Sequence, residues 1–143
     1  MQKALVDTNY ILRLLLNDNA HQNAAVKELF QRAIDGKVVL YTTMIVFFEL
    51  NWVLSSFYEN NKDECIDYLD RILKLNVLSF DGKDTFADAL SLYSKFNLSL
   101  EDCFNITYYK MENLDIFATF DKKLLNVLNK VYRSTRFKES LQP

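Results

Sequence analysis

The sequence predicts an α/β protein, in which helices cover both faces of a mostly parallel sheet. Short runs of apolar and β-branched residues alternate along the chain with longer segments in which apolar residues recur at helical spacing. Strands separated by helices favour crossover connections, which place helices on the faces of a parallel sheet. The sequence holds only two glycines and one proline, so few positions interrupt the helices.

Four runs of apolar and β-branched residues predict strands. Each run is short and ends at a polar residue, as a strand does where the chain turns. The predicted strands cover residues 3–6, 38–41, 77–80 and 115–119. The second run is typical of a strand buried on both faces. A last edge strand near residues 132–137 would bring the sheet from four strands to five.

Helical spacing of apolar residues occurs in seven further segments. These predicted helices cover residues 10–16, 20–35, 44–59, 62–75, 84–95, 100–112 and 122–128. Gly36 is suited to stop the second helix, and Ser99 is suited to cap the sixth. No linker or internal repeat interrupts this order, so we predict a single domain over residues 1–143.

Composition limits the class of protein. Half of the residues are apolar and a quarter are charged, a globular mixture. The formal charge of −2 argues against a broadly basic nucleic-acid surface, although an enzyme can still grip phosphates locally through a metal ion. No run of 18 apolar residues occurs, and the N-terminal apolar stretch is too short for a signal peptide. We therefore expect a cytoplasmic protein without a membrane span.

The scarcity of histidine restricts the chemistry. His21 is the only histidine, so a zinc site and Ser–His or Cys–His catalysis are not expected. Cys65 and Cys103 lie far apart in sequence and are expected to be reduced and at least partly buried. Catalysis would then depend on carboxylates, hydroxyls, amines and a metal ion.

Glu49 is the most informative acid, because its predicted helix is apolar on nearly every side. We expect Glu49 to be buried or to lie in an interface. An ionised carboxylate there would need a proton, a cation or a metal ion, and no cationic residue lies one helical turn away. The alternative is a solvent-facing position or contact with a distant lysine.

Asp7 and Asp121 each follow a predicted strand. Ligands of parallel sheets bind at the carboxyl ends of the strands, which makes both residues candidates for a site. Either acid could instead cap the helix that follows it. The hydroxyl of Thr8 could orient a metal-bound water or cap the short helix.

Asp102 and Glu101 lie in the first turn of the sixth predicted helix, where the helix dipole favours an acid. Asp102 is preferred because it shares a helical side with Ile106. If the parallel sheet brings together Asp7, Glu49, Asp102 and Asp121, the acids repel one another unless a cation is present. Oxygen ligands select Mg²⁺ or Mn²⁺ over zinc, and such ions serve phosphodiester cleavage.

Taken in order, four short motifs resemble those of PIN domains, most of all the toxin ribonucleases of toxin–antitoxin pairs (the VapC type). They read LVDTN at 5–9, FEL at 48–50 with WVL at 52–54, LEDC at 100–103 and ATFD at 118–121. The resemblance implies a three-layer α/β/α sandwich, a homodimer, metal-dependent cleavage of an RNA substrate and a protein antitoxin that blocks the site. It makes metal ligands of the four acids, with Thr8 accessory: Asp7, Glu49, Asp102 and Asp121.

Arg13 and a set of aromatic residues each have more than one predicted role. Arg13 lies where relatives often carry a basic residue, and it would bind RNA or the antitoxin, or form a surface ion pair. An aromatic set is larger than one core needs, so part of it would pack a dimer or antitoxin interface unless the helix is simply buried. This set comprises Phe47, Phe48, Trp52, Phe57 and Tyr58.

Three other functions compete with a toxin ribonuclease. A phosphatase of the haloacid-dehalogenase kind would use Asp7 as its nucleophile, but it needs a second Asp where this chain has Asn9. A housekeeping PIN nuclease of RNA processing would share the same four acids. An inactive PIN-like module would only bind protein or RNA.

Overall fold

The computed structural model describes residues 1–132. The chain divides into two compact units, unit 1 over Met1–Lys83 and unit 2 over Asp84–Pro143, of which residues 84–132 are described. The predicted α/β class and the parallel sheet are confirmed. The single domain over residues 1–143 stays a prediction.

Unit 1 contains a parallel sheet and four helices within its bounds. The strands pair side by side and parallel in the order β1 (Gln2–Leu5), β2 (Val38–Tyr41) and β3 (Leu78–Ser79), so their carboxyl ends lie at the same edge of the sheet. In this register Leu5 lies opposite Tyr41, and Tyr41 lies opposite Ser79. The elements are β1 Gln2–Leu5, α1 Thr8–Leu15, α2 Ala20–Ile34, β2 Val38–Tyr41, α3 Met44–Ser56, α4 Lys62–Leu73 and β3 Leu78–Ser79.

The connections of unit 1 use the predicted polar and glycine signals. Gly36 ends α2 with a positive φ of 74°, as its position in the sequence predicts. After β3 the chain turns at Gly82, whose φ is 82°. A Cβ atom at Gly82 would meet only Cε of Met44, the end of a flexible side chain that can shift, so glycine is favoured there by the positive φ rather than by space.

Unit 2 is helical in its described part. Its helices are α5 Lys83–Lys95, which begins at the last residue of unit 1, α6 Leu100–Met111 and α7 Lys122–Val131. Apolar side chains from α6 and α7 form a buried cluster that includes Cys103, Ile106, Leu124 and Leu128. Cys65 and Cys103 are buried, as expected, and form no disulfide. Burial raises the pKa of the Cys65 thiol.

The prediction of four to five strands is wrong for the described residues, which contain three. Residues 115–119 form no strand. Tyr109 holds this segment instead, since its hydroxyl donates to the carbonyl of Asp115 at 3.3 Å and its ring contacts Phe117 edge-on. A strand requires a neighbouring strand for its backbone groups, and within residues 1–132 this segment has none.

The predicted edge strand near residues 132–137 lies outside the described residues except for Tyr132, which is not in a strand. The prediction of a third strand over 77–80 is confirmed in a shorter form, since β3 holds two residues. Across residues 1–132, every helix is too short or too polar to cross a membrane.

Candidate active site

Asp7 lies at the carboxyl edge of the unit 1 sheet. The preceding residue, Val6, is buried, and its N–H donates to the carbonyl of Tyr41 at 2.8 Å. Asp7 itself is exposed and caps α1, where its Oδ1 atom accepts the N–H of Tyr10 at 3.1 Å. Its Oδ2 atom accepts no hydrogen bond from residues 1–132, so the cap leaves one carboxylate oxygen available to a ligand.

Thr8 does not cap α1, because Asp7 does. The predicted capping role of Thr8 is therefore wrong. Thr8 is buried next to the carboxyl edge of β1. Its predicted role in orienting a water stays a prediction.

Glu49 is exposed on α3, so the expectation that it is buried within the chain is wrong. One stripe of the helix, Phe47, Leu50 and Leu54, is buried. Apolar residues also occupy the other sides, and Ile45 is 75% exposed while Trp52 is 64% exposed. An all-round apolar helix therefore does not enclose its carboxylate here, and Glu49 needs no neutralising partner inside the protein.

Helix α1, which Asp7 caps, packs against helix α3, which carries Glu49. Val53 of α3 lines a pocket together with Leu12 of α1. Glu49 lies one helical turn before Val53, so the two residues are on the same side of α3. The helix that carries Glu49 thus lies beside the helix that Asp7 caps.

The two acids of unit 2 lie at helix N-termini. Asp102 is half-buried in the first turn of α6, and its N–H donates to Oγ of Ser99 at 3.1 Å, which confirms the predicted Ser99 cap. Glu101 beside it is exposed. Asp121 caps α7, since its Oδ1 atom accepts the N–H of Leu124 at 3.1 Å.

The four predicted acids are free of ion pairs, since none pairs with a lysine or arginine among residues 1–132. Unit 1 brings the helices of Asp7 and Glu49 together, whereas Asp102 and Asp121 belong to unit 2. No three His, Cys, Asp or Glu side chains of the described chain gather where they could hold a metal ion. The donors fit Mg²⁺ or Mn²⁺ by chemistry, since all are oxygens, but they form no three-ligand cluster.

Arg13 forms the surface ion pair that was one of its predicted alternatives. Its Nη1 atom lies 2.5 Å from Oδ1 of Asp18, and its Nη2 atom donates to the Tyr58 hydroxyl at 2.9 Å. The hydrogen bond with Tyr58, with help from Asp18, raises the pKa of the Arg13 guanidinium. Sequence analysis missed both partners. Asp18 could have been predicted as a partner, because it is a polar loop residue five positions after Arg13. Tyr58 is 45 residues away, and no local pattern indicates it.

Two pockets of unit 1 adjoin at Asn9 and Arg13, which line both. The Tyr10 pocket encloses about 250 Å³, and the residues that line it are Asp7, Asn9, Tyr10, Arg13, Gln22, Ala25 and Val26. The Phe57 pocket encloses about 340 Å³, and its lining residues are Asn9, Leu12, Arg13, Val53, Phe57 and Tyr58. Sequence analysis did not select Tyr10 or Gln22, since an isolated polar residue on a helix carries no motif.

A comparison with known protein families finds a match over most of the chain. The PIN domain family matches residues 4–130, a stretch that includes the four acids and both pockets. A search of curated proteins finds no match to the chain.

Proposed function

This chain belongs to the PIN domain family, whose members are generally nucleases that act on RNA, and from that premise we propose that it is an endoribonuclease dependent on Mg²⁺ or Mn²⁺. The observation that carries the proposal is the position of Asp7. It is exposed at the carboxyl edge of a parallel sheet and forms no ion pair with a lysine or arginine of residues 1–132. One of its carboxylate oxygens accepts no hydrogen bond from these residues. This edge is where α/β folds bind ligands.

The proposed metal ligands are the four acids of the matched region, Asp7, Glu49, Asp102 and Asp121. Mg²⁺ commonly takes one or two carboxylates and completes its shell with waters and substrate phosphates. One or two of the four acids would therefore contact the ion directly and the others would hold it through its waters, so no three-acid cluster is required. A bound ion would polarise the phosphoryl group and lower the pKa of an attacking water.

The residues of the chain supply orientation. The cap bond from Tyr10 N–H fixes the Asp7 carboxylate, so that its second oxygen keeps one direction. Thr8, a buried residue, follows Asp7 in sequence, and we assign its hydroxyl an accessory role in orienting water. In the hydrolysis, water oxygen bonds to phosphorus, the bond to the leaving oxygen breaks, and a proton passes to that oxygen.

We expect Asp7→Asn to abolish metal-dependent cleavage while the fold persists. Asparagine caps helices about as well as aspartate, so the bond from Tyr10 N–H is kept while the charge is lost. The measurement is cleavage of an end-labelled RNA pool with Mg²⁺, with Mn²⁺ and with EDTA. Circular dichroism and thermal unfolding report the fold.

The matched control is Asp63→Asn, an exposed acid in the first turn of α4 that is not assigned to the site. It should cleave like the wild type. Cleavage at wild-type rate by Asp7→Asn would refute the site assignment. A folded wild-type protein that neither cleaves RNA nor binds Mn²⁺ in calorimetry would instead be the inactive PIN-like module.

The finer proposal is that the enzyme is the cytoplasmic toxin of a toxin–antitoxin pair and works as a homodimer. The motif resemblance supports the toxin role, and the exposed apolar residues Ile45 and Trp52 on α3 support an interface. Expression should arrest bacterial growth, and Asp7→Asn should relieve the arrest. A housekeeping nuclease would cleave RNA without arresting growth. Light scattering after size exclusion reports the dimer.

A further inference from the structure

We propose that unit 1 binds unpaired bases of an RNA strand in the Tyr10 pocket and the Phe57 pocket, which share Arg13 as a lining residue. This inference rests on the proposed function, because RNA is taken as the substrate. It goes beyond the proposed function by naming unpaired bases as the part of the RNA that is recognised and by naming the residues that recognise them.

The Tyr10 pocket has the size and lining of a base site. Its volume of about 250 Å³ is below the roughly 300 Å³ at which pockets for drug-sized ligands begin, so it suits a single ring system. Tyr10 is 38% exposed and offers an aromatic ring. The side-chain amides of Asn9 and Gln22 make no hydrogen bond with residues 1–132, so their donors and acceptors remain for a base edge. Base recognition in unpaired RNA uses this combination of stacking and edge hydrogen bonds.

Asp7 also lines the Tyr10 pocket. A base held there lies beside the carboxylate that we assign to the metal. The backbone phosphate of that nucleotide then comes close to the proposed site of cleavage. Recognition and reaction would thus concern the same short stretch of RNA.

The Phe57 pocket offers a second aromatic surface. Phe57 is 74% exposed at the end of α3, although it is a large apolar side chain, and it contacts Tyr58 edge-on with ring centroids 5.0 Å apart. Leu12 and Val53 complete an apolar wall. Aromatic rings presented to solvent in this way are the stacking surfaces that single-stranded nucleic acids use.

Arg13 lines both pockets and is held in position by two partners. Asp18 and the Tyr58 hydroxyl each hold one nitrogen of its guanidinium, and its side chain is 17% exposed. Because its guanidinium is already held, Arg13 loses little further conformational freedom when it stacks on a base or donates to a phosphate. Arg13 lines both pockets, so one residue can contact neighbouring nucleotides.

The test measures binding apart from cleavage. The full-length protein is titrated in EDTA with fluorescently labelled single-stranded oligoribonucleotides of mixed sequence, and anisotropy gives the Kd. We expect Phe57→Ala and Tyr10→Ala each to weaken binding roughly fivefold to hundredfold, the range typical for the loss of one stacked base. A duplex of the same sequence should bind more weakly than the single strand, because its bases are not accessible.

Matched controls separate the pockets from the rest of the surface. Gln22→Ala is compared with Gln31→Ala, an exposed glutamine of the same helix, and Phe57→Ala is compared with Ile34→Ala, an exposed apolar residue outside both pockets. The two controls should bind as the wild type does. Photo-crosslinking with 4-thiouridine RNA should place adducts on peptides that contain Tyr10 or Phe57.

Arg13 requires its own control, since it also stabilises the local structure. Arg13→Gln and Asp18→Asn both break the ion pair, but only the first removes the guanidinium from the pockets. We expect Arg13→Gln to weaken RNA binding and Asp18→Asn to leave it unchanged or to strengthen it. Equal loss in both variants would show that Arg13 acts only through the fold.

The outcomes distinguish this inference from the proposed function. If the pocket variants bind and cleave RNA as the wild type does, the base sites are overturned while the nuclease stands, and a protein ligand becomes the occupant to test. If single strands bind in a pocket-dependent way but no divalent ion produces cleavage, the base sites stand and the nuclease proposal fails. Equal affinity for duplex and single strand overturns the base sites.

Discussion

At the scale of single residues, two of the four acids have a structural role of their own. Asp7 and Asp121 each spend one oxygen on a helix cap, and neither forms an ion pair with a lysine or arginine in residues 1–132. Sequence analysis treated capping and ligand binding as alternatives for these residues. Because a carboxylate has two oxygens, the structure allows both.

The hydrogen bond between Arg13 and Tyr58 should be measurable as stability. We expect Tyr58→Phe to lower the free energy of unfolding by about 1 kcal/mol, since a partly buried hydrogen bond is lost and the ring is kept. Urea unfolding monitored by circular dichroism gives the value.

Tyr68→Phe is the control for this change, because the Tyr68 hydroxyl makes no hydrogen bond with residues 1–132 and its ring still lies under Arg71. It should unfold at the wild-type urea concentration. If Tyr58→Phe does the same, the bond from Arg13 contributes nothing to stability.

At the scale of elements, α3 shows how far an apolar sequence can mislead. Its residues are apolar on nearly all sides, which predicts a helix buried all round, yet one stripe is buried while Ile45 and Trp52 are exposed. Helix formation was predictable from local spacing, and α3 begins at Met44 as predicted. The side that is buried depends on α1 and α4, which pack against it, and no local pattern reports those contacts.

The two sides of α3 should respond differently to truncation. Leu50→Ala should cost about 2–5 kcal/mol of unfolding free energy, because it leaves a cavity at a fully buried position. Ile45→Ala should change it by no more than about 0.5 kcal/mol, as exposed positions do. Thermal or urea unfolding of both variants measures the difference. Equal costs would mean that Ile45 is covered in solution, as it would be in the proposed homodimer.

At the scale of the whole molecule, the metal proposal draws on both compact units. Asp7 and Glu49 belong to unit 1, and Asp102 and Asp121 belong to unit 2. A ligand that binds only the folded protein stabilises the folded state of the residues that form its site. Metal-dependent stabilisation therefore tests whether acids from both units contribute.

We expect Mn²⁺ to raise the unfolding temperature of the wild type, with a gain of about 2.7 kcal/mol at a concentration one hundred times its Kd. Asp7→Asn in unit 1 and Asp102→Asn in unit 2 should each reduce this gain strongly. Asp63→Asn should keep it. If Asp102→Asn keeps the full gain, the ion binds without unit 2, and that residue leaves the ligand set. Differential scanning fluorimetry with Mn²⁺ and with EDTA provides the measurement.

The sequence by itself determined the features that depend on neighbours along the chain. The alternation of strands and helices as far as β3, the caps at Ser99 and Asp121 and the stop at Gly36 all follow from local chemistry, and the structure has them. A single histidine also limited the ligands to oxygen. Each of these conclusions needs only a few consecutive residues or a count.

Tertiary structure alone decided the features that depend on residues far apart in the chain. It exposed Glu49, joined Arg13 to Tyr58 and formed the two pockets between elements. It also left residues 115–119 without a strand partner in the described chain, although their composition is that of a strand. Burial, pairing and cavities belong to at least two segments at once, so the pattern of one segment cannot specify them.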